Sequence, residues 1–280
     1  MEQNTVMQSR RHEHSSRDFS AEALLTGRTV LVAGGTGNVG RHLVRALLDH
    51  GANVVVPSRS PERVAALRDG LGGRGVERFS SMLCDLRDEA AATRLGDQLS
   101  ATDRSLHAVV ASLGRFVAAP SVLAAPVADL HNTLDDYLIA HFLAVRTFLP
   151  LIEPGGSYTF INGPLAFDSL FEGTGLVSIA TAAQAMLARV VMKETRPIPV
   201  RVNEVIVYTL FGGDDKDPPH AAVAREDVAR YVAYLVSGRG SAVDGQTIHL
   251  NSRQPLTAWF KGGETTEAND GKSRLSRDRV

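Results

Sequence analysis

Seven residues near the front of the chain, Gly34-Gly35-Thr36-Gly37-Asn38-Val39-Gly40, have the composition and spacing of a phosphate cradle. Glycines at this spacing let the backbone turn tightly and let a ligand approach without meeting a Cβ. Where such a turn leads from a strand into a helix, its N–H groups and the positive end of the helix dipole converge on one point. That arrangement suits the pyrophosphate of a dinucleotide. Two polar positions downstream extend the pattern. Ser58-Arg59 closes the next apolar run without a carboxylate. An acidic residue there accepts from an adenosine ribose 2′-hydroxyl, whereas an arginine accommodates a 2′-phosphate. The expected cofactor is therefore NADP(H), with NAD(H) the poorer fit. Asp85-Leu86 follows the third run. Its carboxylate suits either the adenine amino group or the cap of the next helix.

These residues need strands that deliver them to one edge. Thr29–Ala33 is a short, β-branched, uncharged run, as a buried parallel strand would be. Arg41–Leu48 then carries apolar residues at helical spacing and stops at Gly51. The alternation continues. Strands are expected at 52–56, 79–84, 107–112, 157–161, 200–207 and 247–250. Helices are expected at 61–68, 89–99, 129–152, 177–194 and 225–236, with Ser60 capping the first of these and Pro61 in its first turn. The longer of these, 129–152, should end at Pro154-Gly155-Gly156. Such a series predicts an α/β fold, a doubly wound parallel sheet of about seven strands with helices on both faces. Ligands in such a sheet sit at the carboxyl ends of the strands, so function belongs in the loops after them.

Composition narrows the function classes. In 280 residues, 44% hydrophobic content can bury one large core, and a net charge of −1 gives no sign of nucleic-acid or anionic-membrane binding. The lone Cys84 excludes an internal disulfide and suits a reducing compartment, with the cytoplasm the expected location. Residues 1–24 and 257–280 read as flexible tails around a folded unit at 25–256. No run approaches the roughly 20 apolar residues of a membrane span, and no metal-ligand spacing occurs.

Three later segments make the pattern recognisable: Ile198-Pro199-Val200-Arg201-Val202-Asn203-Glu204-Val205, Arg225-Glu226-Asp227-Val228-Ala229, and Asp244-Gly245-Gln246-Thr247-Ile248. With the glycine turn, they resemble the short-chain dehydrogenase/reductases, a Rossmann-type family, over nearly all of Leu25 to Asn251. The glycine spacing, Gly34-x-x-Gly37-x-x-Gly40, is similar to the extended and atypical branches. The family's Asn-Ala-Gly loop reads here as Ser112-Leu113-Gly114, which adds Ser112 and Gly114 to the implied cofactor site.

The implied catalytic positions depart further. The family uses a Tyr for proton transfer, a Lys four residues on that lowers the tyrosine's pKa, a Ser that polarises the carbonyl and an Asn in a water relay. By resemblance these fall on Val177, Thr181, Gly163 and His141. Neither Val nor Thr can supply an ionisable phenol or the charge beside it. Candidate replacements are His141, which shares a helix face with Tyr137, then Asn162 and Tyr208, with Asp168 and Ser178 behind them. Phe211 to Pro219 reads as a substrate lid. Three functions stay open: an NADP(H)-dependent oxidoreductase of a small carbonyl, alcohol or enone with a rebuilt site; a dinucleotide-binding regulatory protein; or a non-redox enzyme such as a cyclase, isomerase or dehydratase. The resemblance also implies a homodimer or homotetramer, with a stripe of Ala180, Ala183, Met186, Leu187 and Val190 facing either the partner or the chain's own sheet.

Overall fold

The computed structural model describes residues 23–102, 105–118, 121–167, 170–195, 197–209 and 223–251. The strands are β1 (Thr29–Ala33), β2 (Asn53–Ser58), β3 (Phe79–Leu83), β4 (Leu106–Ala111), β5 (Ile152–Asn162), β6 (Arg201–Val207) and β7 (Thr247–Leu250). They form one parallel sheet in the order β3-β2-β1-β4-β5-β6-β7. Every residue of β1, β4 and β6 is buried, the polar Arg201, Asn203 and Glu204 of β6 included, while the edge strands β3 and β7 are largely open to solvent. The expected seven-stranded α/β architecture is the one observed.

Helices cover both faces: α1 (Gly40–Asp49), α2 (Pro61–Gly70) and α7 (Arg225–Val236) on one, α3 (Glu89–Ser100), α5 (Ala140–Phe148) and α6 (Gly175–Glu194) on the other. Ser60 caps α2 as expected, its Oγ accepting from the Arg63 N–H at 3.2 Å. β1 pairs with β2 on one side and β4 on the other, so chain direction through the sheet reverses between β1 and β4. This switch point opens a crevice at the carboxyl ends.

Two boundaries differ from expectation. The helix foreseen at 129–152 begins earlier, as α4 (Val127–Leu134), passes through a π-helical turn at Asp135–Ile139 and ends as α5 at Phe148. Pro150, which has no N–H to donate, stops it in a single 3₁₀ turn. β5 therefore starts at Ile152 and runs through Pro154-Gly155-Gly156 with a register break between Leu106 and Ala108 of β4. α6 is long and apolar enough by length and composition to cross a membrane, yet half of that window is buried and its inner face packs on β5 and β6, as a core helix does.

Candidate functional site

A cleft of about 550 Å³ lies at the switch point, walled by the loops after β1 to β6. Gly34, Thr36, Gly37, Asn38 and Val39 form its floor beside α1. Gly34 has φ +81°, and a Cβ there would overlap the Ser112 carbonyl oxygen at the end of β4. Gly40 opens α1 and passes so close to the Gly34 carbonyl that it too leaves no room for a side chain. The turn is thus fixed by backbone contact. No side-chain hydrogen bond caps α1 at Val39 and none of its own first-turn residues is acidic, which leaves the cap position at the cleft open. A cradle that a Cβ would fill, at an uncapped helix start, fits a dinucleotide pyrophosphate.

The charged end lies beyond. Ser58, Arg59, Asp85 and Leu86 line the cleft as expected, and among the described residues four arginines face two carboxylates there: Arg59, Arg63, Arg87 and Arg115 against Asp85 and Asp136. Arg87 clasps Asp85 through Nη2 at 2.6 Å and Nε at 3.0 Å, which holds the Asp85 carboxyl below its ordinary range. Asp136 sits 3.2 Å from Arg87, 3.7 Å from Arg115 and 3.8 Å from Arg59. Asp85 is not the cap of α3; Asp88 is, accepting from the Ala91 N–H at 2.9 Å. Arg63, Arg87, Arg115 and Asp136 escaped the sequence reading because elements far apart in the chain (α2, the loops after β3 and β4, and the π turn) bring them together. Local signals were available for Arg87, two residues after Asp85, and for Arg115, directly after Gly114.

The inner end is nearly uncharged. Ser112, Leu113, Gly114, Ile161, Asn162, Gly163, Gln184, Val207 and Thr209 line it. Asn162 has no donor to spare for a substrate carbonyl: its Nδ2 donates to Thr181 O at 3.1 Å and to Glu204 Oε1 at 3.0 Å. Its Oδ1 accepts from the Gly163 N–H at 2.8 Å. Glu204, wholly buried on β6, also accepts from Thr247 Oγ1 at 3.3 Å, and burial raises its pKa despite those bonds and nearby Arg189. A carboxylate inside a Val/Ile strand was the signal for it. Gln184 lies on the α6 face of Val177 and Thr181, donates to Ile161 O at 3.0 Å and keeps a buried Oε1 without a hydrogen bond. Helical spacing from Thr181 pointed to it.

His141 does not reach the cleft. It is wholly buried, its ring stacked on Phe160 with centroids 5.7 Å apart, and neither ring nitrogen has a well-formed hydrogen bond. Burial pushes its pKa down to about 4, the Leu113 backbone offsetting little, so it stays neutral and does not suit a general acid near neutral pH. Tyr208 is also turned away. Val207 and Thr209 face the cleft, while the Tyr208 hydroxyl bonds His249 Nδ1 at 3.0 Å on β7. The phenol that does line the cleft is Tyr137, in the π turn, with its pKa pushed up to about 12 by burial and by Asp136. Val177 and Thr181 are buried in α6, the Thr181 hydroxyl donating to Val177 O at 2.8 Å. Ser178 bonds Thr174, also buried. Asp168 and the lid at 211–219 lie outside the described residues.

An enoyl-(acyl carrier protein) reductase family model matches residues 33–210, from the end of β1 past β6. The chain is a short-chain dehydrogenase/reductase. A short chain dehydrogenase/reductase of Macrophomina phaseolina, dpmpG, is 36% identical over 144 residues, which covers 47% of this chain and 78% of that protein. The structure of a short-chain type dehydrogenase/reductase from Mycobacterium ulcerans superposes with a TM-score of 0.72 at 22% identity, covering 83% of this chain and 91% of that one. The Pseudomonas aeruginosa RhlG/NADP active-site complex gives 0.71 at 21% identity, over 82% and 97% of the two chains. Short-chain dehydrogenase/reductases are oxidoreductases that bind nicotinamide dinucleotide, and the Gly34–Gly40 cradle fits that group.

Proposed function

We propose that this protein is an NADP(H)-dependent oxidoreductase of a carbonyl, alcohol or enone, working without the family's Tyr–Lys pair. The observation that carries the reading is the arginine excess at the Ser58–Arg59 end of a dinucleotide cradle. A 2′-phosphate adds negative charge where four arginines face two carboxylates, and Arg59 can swing from Asp85 and Asp136, at 3.9 and 3.8 Å, to meet it. That a structural neighbour was solved with NADP supports the choice. The bound cofactor supplies the hydride. The chain's own groups hold and orient: Gly34 to Gly40 the pyrophosphate, Arg59 the 2′-phosphate, Leu113, Gly114 and Val207 the walls of the inner end. Tyr137, protonated at neutral pH, is the cleft's neutral donor and stabilises charge on a substrate oxygen without giving up its proton.

Calorimetric titration of NADPH and NADH tests this. Arg59→Ala should weaken NADPH about 5- to 20-fold, the worth of one half-exposed charge-assisted contact, and change NADH less than twofold. Equal losses for both cofactors, or no binding of either at millimolar concentration, would overturn the proposal.

A further inference from the structure

The loop after β4 has no charged residue from Phe116 to Ala128, and Ser121 is its one polar side chain over that stretch. Opposite it, the segment leading into α6 carries Leu170 and Phe171. Both segments display their apolar side chains to solvent. Leu123 is fully exposed, Leu170 is 66% exposed, and Phe116, Val122 and Phe171 are each about half exposed. The segments touch: the Phe116 and Phe171 rings stack with centroids 6.4 Å apart and planes 30° apart, and Val122 packs where a side chain on Gly175 would stand. Phe116 also lines the cleft. The apolar rim is thus continuous with the cofactor cleft, whose inner wall (Leu113, Ile161, Val207) is itself apolar.

We propose that the substrate carries an extended apolar body, an alkyl, acyl or polycyclic hydrocarbon portion, which lies across Phe116 and Phe171 while its polar reacting end enters the cleft. Large side chains concentrated on two facing loops cost solvation in the free protein, and such patches mark binding grooves. The occupant is argued from continuity. Among the described residues, an apolar path leads from the inner end over Phe116 and its stacked partner Phe171. Among the described residues no charged side chain lines the inner end, and the side-chain N–H groups of Asn162 and Gln184 are already engaged, which leaves little there for a charged metabolite to bond. The inference rests on the proposed function for the position of the reacting end, and its test separates the two.

The full chain, saturated with NADP⁺ so that no turnover occurs, is titrated calorimetrically with 2-alkanones from 2-butanone to 2-undecanone. Affinity should rise about two- to fourfold per methylene until the rim is covered, the range between half and full burial of each group. Phe171→Ser, whose contacts to Thr174 are made by backbone atoms, should flatten that slope and leave NADP⁺ affinity unchanged. Leu123→Ser, at a fully exposed site, should lower the slope without touching the fold. No dependence on chain length in the parent, or an unchanged slope in both variants, overturns the proposal. If NADP⁺ does not bind, the cofactor reading fails, and the same series on the free chain still decides the rim.

Discussion

Gly34→Ala tests the link from backbone geometry to binding. The new Cβ would overlap the Ser112 carbonyl oxygen and stand 2.8 Å from its carbon, against an ordinary contact of 3.4 Å or more. Both are backbone atoms at the ends of paired strands, in register through Ala33 and Ala111, so neither can rotate aside. An alanine at φ +81° costs about 1–2 kcal/mol, and parting the strand ends adds about 1–3 kcal/mol. The sum, about 2–5 kcal/mol, is a large part of a typical total stability of roughly 5–15 kcal/mol. With a urea slope of about 3 kcal/mol per molar, the unfolding midpoint should fall by about 1 M at unchanged slope. NADPH affinity of the folded fraction should fall at least about tenfold, because the N–H groups of the turn are displaced. Gly163→Ala is the control. With φ −110° and nothing within 4 Å of its Cβ, it should stay within about 0.5 kcal/mol of the parent. A Gly34→Ala protein with the parent's midpoint refutes the contact geometry, and one that loses stability yet binds NADPH normally refutes the cradle.

Two more outcomes follow from buried and exposed faces. Because burial holds the His141 pKa near about 4, the unfolded chain takes up a proton between its ordinary 6.5 and 4 that the folded chain refuses. The stability is present above pH 6.5 and is lost as pH falls toward 4, by about 3 kcal/mol. His141→Leu should remove that part of the slope, and parallel urea-midpoint profiles for parent and variant between pH 7 and 4.5 would contradict it. On α6, Ala180 is buried in the chain's own core, but Ile179, Met186 and Val190 are exposed. We propose self-association through this face. Light scattering should give a multiple of 30.0 kDa for the parent and 30.0 kDa for Met186→Glu, and a monomeric parent would end the idea.

Elements whose pattern is local were legible. β1, α7 and β7 fall where their apolar periodicity puts them, and Gly34, Thr36, Gly37, Asn38 and Val39 line one cleft, with Gly40 packed on Gly34 behind them, because the glycines fix a strand–turn–helix backbone. Pro150 was an overlooked breaker, and its neglect displaced the start of β5 by five residues, from the expected 157 to Ile152. The π turn that presents Asp136 and Tyr137 has no sequence signature, since one extra residue per turn leaves composition unchanged. Tyr208 was misplaced although period-two alternation was available: with Val207 and Thr209 toward the cleft, residue 208 must point away. His141 shows the converse difficulty. A helix face can be counted, but whether that face meets a cleft or a core depends on Phe160 of another element.

The two ends of the cleft differ in what holds them. At the cofactor end, any side chain at 34 or 40 collides with main chain, so the turn survives only as glycine whatever the substrate. At the inner end, side chains carry the chemistry and can be exchanged without moving a strand. Here that freedom has been used to lock α6 to the sheet: Asn162 joins the Thr181 carbonyl to Glu204, Glu204 reaches Thr247, and Gln184 grips Ile161. A hydroxyl poised for proton transfer would need a neighbouring cation to lower its pKa. Instead, burial and Asp136 raise Tyr137 to about 12, Arg115 offsetting only part of that, and Arg59, Arg87 and Arg115 of the cleft are paired with Asp136 and Asp85. Such an end can place a substrate and donate a neutral hydrogen bond to it. Selectivity must then come from shape and apolar contact, which puts the weight of substrate choice on Phe171 and the uncharged stretch that runs from Phe116 to α4.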